Sequence, residues 1–455
     1  MVEVPVKMYV AALAKKAKEA ARAMALVSGS VKTKALLAMA DRLEAEEEAI
    51  FEDNRLDAEA VGKSLTGDTN RDTVKEAVDR VRFAEDAVKE MAKTLRQVAD
   101  MPDPVGEMTK LWRQPNGMQV SRMRVPLGVI GIISDGGPPV TTECIALCLK
   151  AGNVSLVRGG PEWAKSGARV ATILREAAEA AGVSAGGITF VERNEKDAAL
   201  ELLRLNKHLD AILPRGGAGL RRTVIEQTRL PVLGQDVGVS HVYIDGDADL
   251  PLAQNIVVNS KAQQPTAPNA VDCVLVHQAV ARSLLSALIR RLLDEFRVEV
   301  RGCPKTIAMT GSFALPGYMN LIAATDDDWG KQFLSKTLAL KVVTDMDDAL
   351  AHIAQYGPGH TDTIVTRDYT SAMRFIREVD ASAVLVNAST RLHDGQEFGL
   401  GGGLGVNTTK LPARGPVSLD ELTCQKYVVM GTGQLRHPHP VPVTYEDAIM
   451  LKRPS

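Results

Sequence analysis

The strongest constraint on the fold is a texture that sets in at Pro126: a short apolar run, a loop, a helical stretch, then the same again. Apolar runs occupy residues 128–133, 154–157, 188–191, 211–213 and 241–244, and stretches of helical periodicity at 142–150, 165–181, 195–205 and 219–227 lie between several of them. Runs this short and uniformly apolar suit strands buried on both faces. Parallel strands need crossover connections, and these are right-handed in nearly every case. The texture recurs downstream, with runs at 273–276, 306–309, 340–343, 363–365 and 384–386 and helices at 279–296, 346–354 and 369–379. The expected fold class is α/β, with two parallel-sheet lobes. Ahead of them, residues 10–24, 32–51 and 72–98 carry apolar residues at helical spacing, punctuated by Gly29 and Gly67. Residues 110–125 are two strand-like runs around Asn116-Gly117. Asn-Gly is the strongest short hairpin signal, and a two-residue turn there needs positive φ at both residues.

Composition narrows the function classes. Apolar residues make up 45% of the 455 and charged residues 24%, which excludes disordered, collagen-like and disulfide-stapled chains. A formal net charge of -2 lacks the basic footprint of a nucleic-acid partner. No apolar run reaches the roughly 18 residues of a membrane span. Residues 125–133 come nearest and are broken by Pro126, Gly128 and Gly131. The N-terminus shows no secretory leader, and five cysteines without regular spacing fit a reducing compartment. A cytoplasmic protein without nucleic-acid or membrane partners is expected. Cys144 and Cys148 stand four apart with no zinc-site partners, and are read as core thiols.

Two glycine turns each follow a strand and open a helix: Arg158-Gly159-Gly160, and Arg215-Gly216-Gly217 with Ala218-Gly219. Glycine lets a backbone approach a phosphate, a helix start offers unpaired N–H groups, and arginine adds charge. The alternative is a plain strand-to-helix turn, since neither matches a Walker loop or the full Rossmann fingerprint. The densest glycine cluster, Gly399 to Gly405, is read as a mobile loop beside a site or as a surface turn. His360-Thr361-Asp362 and Asn387-Ala388-Ser389-Thr390-Arg391 are polar strings at strand edges, where open α/β sheets deliver functional groups. Arg391 there can clamp a carboxylate or phosphate, or make a surface ion pair. His437 and His439 read as a solvated tail. Taken by themselves, these residues support an α/β protein with a small-molecule ligand, and nucleotide binding is one reading among several.

Residues 125–133, 146–153, Arg158-Gly159-Gly160, residues 214–219, His360-Thr361-Asp362, residues 386–391, Glu397 to Gly401, Ala413-Arg414-Gly415-Pro416 and residues 426–429 together resemble the gamma-glutamyl phosphate reductase family, also called glutamate-5-semialdehyde dehydrogenase. The resemblance runs in order from the first helices to about Leu435. It implies an aldehyde-dehydrogenase-like fold. Residues 1–108 and 127–236 would form the cofactor-type lobe, 237–395 the catalytic-type lobe, and 396–423 a return to the first. Residues 109–126 and 424–436 would be an oligomerisation hairpin and strand, and 437–455 a tail. It further implies NADP(H) at Arg158, Gly159, Gly160, Arg215, Gly216 and Gly217, substrate contacts from Ser389 and Arg391, and a homodimer or homotetramer. The family reaction is NADPH-dependent reduction of L-glutamate 5-phosphate to the semialdehyde in proline synthesis. A cysteine thiolate displaces phosphate, and hydride reduces the resulting thioester.

The departures from that pattern are specific. The cysteine position falls in a segment reading Lys261 to Ala270 and is occupied by Pro268, with neighbouring Asn269 retained. Proline has neither a nucleophile nor a backbone N–H. Cys273, the nearest thiol, is five residues on, about 16 Å of extended chain away. The family's charged string after the first strand reads Ser134-Asp135-Gly136-Gly137, its glutamate turn reads Gly234-Gln235-Asp236-Val237-Gly238, the acid of its late glycine loop is Gly403, and its histidine before Ala413 is Pro412. The reductase name by descent, with the cysteine-dependent activity lost, is therefore expected. A regulatory or partner-subunit paralogue is the alternative, as is altered chemistry in which Asp135, Asp236 or Lys261 acts as an acid or base.

Overall fold

The computed structural model describes residues 4–65, 71–193, 195–234, 238–311 and 321–434. Asp236, Gly67, His437 and His439 lie outside these. Five helices open the chain: α1 (Val6–Met24), α2 (Gly29–Ala45), α3 (Glu47–Ser64), α4 (Arg71–Val81) and α5 (Ala87–Asp100). The single helices expected over 32–51 and 72–98 are each divided. Glu46 breaks the first at φ -107°, ψ 18°. The second breaks where buried Asn54 takes hold of the backbone: its Nδ2 donates to the Val81 carbonyl at 3.0 Å and its Oδ1 accepts from Phe83 N at 2.8 Å. A side chain that satisfies both backbone groups removes the cost of ending a helix there.

The hairpin follows, β1 (Met108–Arg113) and β2 (Gln119–Pro126). Gly117 alone has positive φ, at 86°, with Gly117 N donating to the Gln114 carbonyl and Gln114 N to the Met118 carbonyl. The connection is thus a longer turn ending in a left-handed glycine, not the two-residue turn expected; Pro115 ahead of Asn116 favours that start.

The first lobe alternates β3 (Val129–Ser134), α6 (Pro138–Lys150), β4 (Val154–Arg158), α7 (Ala164–Ala180), β5 (Ile188–Phe190), α8 (Lys196–Leu203), β6 (Ala211–Arg215) and α9 (Ala218–Gln227). Its parallel sheet has the order β5-β4-β3-β6. Every residue of β3 and β4 is buried, as uniform apolar runs require. Gly131 in mid-β3 admits Ile212 and Leu202, whose methyls would lie 2.8 Å from any Cβ. The order reverses at β3, so a crevice opens between the carboxyl ends of β3 and β6.

The second lobe comprises β7 (Ser240–Ile244), α10 (Leu250–Ala262), β8 (Cys273–His277), α11 (Gln278–Arg290), β9 (Glu299–Gly302), α12 (Pro304–Gly311), β10 (Leu321–Ala323), β11 (Thr337–Val343), α13 (Met346–Tyr356), β12 (Thr361–Val365), α14 (Tyr369–Glu378) and β13 (Ala383–Val386). The sheet order is β10-β9-β11-β8-β7-β12-β13, all parallel. Residues 306–309, expected as a strand, lie in α12. Pro304 suits a first helical turn, the Cys303 sulfur accepts from Thr306 N at 3.4 Å, and a short apolar run does not by itself distinguish strand from buried helix. The chain closes with β14 (Val406–Asn407) pairing β15 (Gly415–Pro416), and β16 (Thr423–Met430) adding to β2 as an antiparallel third strand. Two buried apolar clusters underlie the two sheets. Among the described residues, no helix is long and apolar enough to cross a membrane.

Candidate active site

A cleft of about 290 Å³ lies where the late glycine segment meets the second lobe, lined by Gln264, Pro268, Asn269, His360, Arg391, His393, Asp394, Gly403 and Gly405 among others. Pro268 sits in the loop from α10 to β8, and its carbonyl accepts from Gln332 Nε2 at 3.2 Å. No cysteine lines the cleft among the described residues. Cys144, Cys148, Cys273 and Cys303 are buried, and exposed Cys424 is on β16. Burial pushes the Cys273 thiol far above its ordinary value, the reverse of what activates a nucleophile.

The guanidinium of Arg391 is caged by amides. Its Nε donates to Gln263 Oε1 at 2.8 Å, NH2 to Gln264 Oε1 at 3.1 Å, and NH1 to Asn269 Oδ1. Asn269 Nδ2 donates in turn to the His393 carbonyl at 3.0 Å. The cation is held by neutral oxygens at the cleft wall, with Asp394 and Glu397 as its more distant acids. Ser389 is placed differently. Its hydroxyl contacts Ser260 Oγ at 3.0 Å and caps the short turn 390–392 through Arg391 N at 3.3 Å.

Two buried histidines share one hydroxyl: Thr361 Oγ1 lies 2.6 Å from His360 Nδ1 and 2.8 Å from His393 Nδ1. His393 Nε2 is buried and unpartnered, and the ring stacks on Phe398. Burial holds His360 down to about 3 and His393 down to about 4, so both are neutral near pH 7. His393 was not singled out from sequence; its only signal is its place two residues after Arg391.

The turns expected to hold a cofactor converge on the crevice of the first sheet. Arg158 ends β4 and Gly216-Gly217 follow β6. Asp135 lies between them, within 2.8 Å of where a Gly216 Cβ would stand. Partial burial raises the Asp135 carboxyl and the Arg158 cation opposes the rise. The Trp163 ring packs against Gly160 and Gly137, and its Nε1 donates to the Val81 carbonyl at 3.1 Å. Gly159 abuts Phe190, while Gly217 has open space where a side chain would be. Arg215 reaches the other way, with NH1 on the Leu404 carbonyl at 2.6 Å and NH2 3.8 Å from Glu143.

That contact ties down the second half of the glycine cluster, while Gly399 and Leu400 stay exposed in a turn. Leu404 is 0% exposed and belongs to the first core, while Gly403 and Gly405 face the cleft. The segment is a strap between the lobes. Pro412, by contrast, lines a separate hollow with Asp420 and Cys424. Lys261 is 0% exposed, beside Asp272 at 3.7 Å. Burial lowers its pKa and raises that of Asp272 to about 6.

A model of the aldehyde dehydrogenase family matches residues 6–306. The gamma-glutamyl phosphate reductase of Thermodesulfovibrio yellowstonii is 43% identical over 431 residues, 95% of this chain and 99% of that one. The chain belongs to the gamma-glutamyl phosphate reductase family. The namesake of Carboxydothermus hydrogenoformans is 45% identical over 425 residues, covering 93% and 98% of the two chains. The crystal structure of gamma-glutamyl phosphate reductase from Thermotoga maritima superposes with a TM-score of 0.87 at 36% identity, over 94% of this chain and 100% of that one. Within this family the chain carries Pro268 at the wall of its cleft.

Proposed function

We propose that this chain is a gamma-glutamyl phosphate reductase homologue that keeps a cofactor crevice and an anion-binding cleft but does not carry out the cysteine-dependent reduction of L-glutamate 5-phosphate. The observation that carries the reading is the cleft itself, lined by Pro268 and by no thiol among the described residues. Thioester chemistry needs a group that attacks as a nucleophile and later leaves, and thiolate does both. The caged cation of Arg391 supports binding of a glutamyl-like carboxylate or phosphate, because its counter-charges are not at hydrogen-bond distance. The test is turnover with the family substrates.

NADP(H) is the proposed ligand of the crevice, supported by its place at the order reversal of the sheet and by the uncapped helix start at Gly217. Titration of NADPH fluorescence is expected to show weak saturable binding in the millimolar range or tighter. A flat signal up to millimolar cofactor contradicts it. The proposed lobes are residues 1–108 with 127–236, and 237–395.

The sheet β1-β2-β16 supports a homodimer or homotetramer. Leu111, Tyr427, Val429 and Met430 are each more than half exposed on it, and β1 is an open edge. Exposed edges and apolar faces are normally covered. Sedimentation is expected to give a mass of at least twice 48.9 kDa, and a stable monomer overturns the proposal.

A further inference from the structure

The face of the seven-stranded sheet covered by α13 carries a row of polar side chains that the cleft does not use. Asp362 on β12 is in register with His241 on β7, and His241 with Cys273 on β8. His352 comes down onto them from α13. One donor atom from each of His241, Cys273 and His352 lies within 4.8 Å of the others. Cys273 Sγ and His352 Nε2 are 3.6 Å apart. Bond lengths of about 2.3 Å to sulfur and about 2.0 Å to nitrogen, opened at a tetrahedral angle, put the two ligand atoms about 3.5 Å apart.

Three further observations point to a bound ion. First, His241 is 0% exposed, its Nδ1 is taken by Asp362 Oδ1 at 2.9 Å, and its Nε2 has no hydrogen-bond partner. A hydrogen-bonded cluster without an ion leaves that nitrogen buried and unsatisfied, which is costly. Second, the Asp362–His241 pair is the carboxylate–histidine arrangement that orients a metal-binding ring. Third, the row lies beneath a hollow of about 630 Å³ that Gly357 and Asp362 line. A Cβ on Gly357 would come 3.2 Å from His241 Cε1, so only bare backbone separates the imidazole from the hollow.

We propose that Cys273, His241 and His352 form a thiolate–bis-imidazole site for a soft d¹⁰ cation, with Cu⁺ as the ion. One thiolate and two imidazoles suit Cu⁺ by softness. Charge decides against a dication. Asp362 and Lys341, whose Nζ is 3.1 Å from His352 Nδ1, offset each other, and exchange of the thiol proton for Cu⁺ adds no net buried charge. Zn²⁺ would leave one uncompensated positive charge. On uptake the Cys273 S–H bond breaks, the S–Cu bond forms, the proton leaves to solvent and copper keeps its oxidation state. With Nε2 of His352 on the ion, its ring proton sits on Nδ1, and Lys341 turns onto the Trp329 ring, now 5.9 Å away.

The test is anaerobic titration of the full chain with Cu⁺ against the chelator bicinchoninate, in a Cys424→Ser background that removes the exposed thiol. One equivalent is expected to be retained, with an X-ray absorption spectrum showing one sulfur and two imidazole nitrogens. Cys273→Ser is expected to weaken retention at least 100-fold, and Asp362→Asn 10- to 100-fold, each in protein whose circular dichroism is unchanged. The absorption spectrum of the chain with Cys273 intact decides the matter if Cys273→Ser does not fold. Loss of the whole equivalent to the chelator, a coordination shell without sulfur, a full equivalent retained by folded Cys273→Ser, or one equivalent of Zn²⁺ held where Cu⁺ is not, each overturns the proposal.

Discussion

Purified protein given L-glutamate 5-semialdehyde, NADP⁺ and inorganic phosphate is expected to reduce the cofactor no faster than about 10⁻³ per second, against the 1–10³ per second of ordinary enzymes. Deleting the attacking residue of a covalent mechanism costs about 10⁶ in kcat, and the cleft offers no replacement. Pro268 has no acid, thiol or N–H to contribute. The Arg391 cage presents amides, which are not nucleophiles at neutral pH. His360 and His393 are neutral bases sharing one hydroxyl, able to move a proton but without a group to activate. Pro268→Cys is expected to stay below about a hundredth of ordinary turnover, because Gly403 on the same wall, where the family resemblance implies an acid, has no side chain. Alkylation of the new thiol checks that it is presented to the cleft. A measured rate of 1 per second or more in the unaltered chain defeats the reading.

The second large effect is on stability in mild acid. In the unfolded chain His360 and His393 take up protons near pH 6.5. In the folded chain burial defers protonation to about 3 and about 4 respectively. Between these limits the unfolded state binds more protons, so stability falls as pH falls. At pH 5 the loss is about 2 kcal/mol for each histidine, and buried His352, also held down to about 3, loses the same. His360 faces His393 and Arg221, both of which oppose its charging; His393 faces Asp394, which favours it. Asp272 acts the other way: its folded pKa of about 6 means the native state gains protons first, returning about 1 kcal/mol at pH 5. Urea midpoints measured from pH 7 to 5 are expected to drop by the equivalent of about 5 kcal/mol. His393→Phe is expected to flatten about two fifths of that dependence. A midpoint independent of pH over this range contradicts the buried neutral pair.

How far the sequence reading reached depends on which physical cause shaped each element. Strands β3 and β4 were readable because burial on both faces leaves a nearly uninterrupted apolar run, whereas β7 and β12 showed only their apolar ends, since Ser240-His241 and Thr361-Asp362 are polar though buried. β9 was not, because Glu299 and Arg301 alternate with its apolar residues and pair with each other across the strand face at 2.9 Å. The break at residues 82–86 belongs to a tertiary contact, that of Asn54. The same division holds at the cleft. Pro268, Asn269, Arg391 and His360 stood out in motifs. The amide cage around Arg391 and the shared Thr361 hydroxyl join residues more than a hundred positions apart in one case and 32 in the other, and no spacing rule in the chain foretells them. Pro412 shows the converse: read as a departure from the family pattern, it lines a separate hollow.

No covalent acyl adduct is expected to form at this cleft. Intact-protein mass spectrometry after incubation with the semialdehyde and NADP⁺ in the absence of phosphate reads it directly. The unmodified mass is predicted, unchanged by hydroxylamine. A hydroxylamine-labile glutamyl adduct on any of the five cysteines would contradict it.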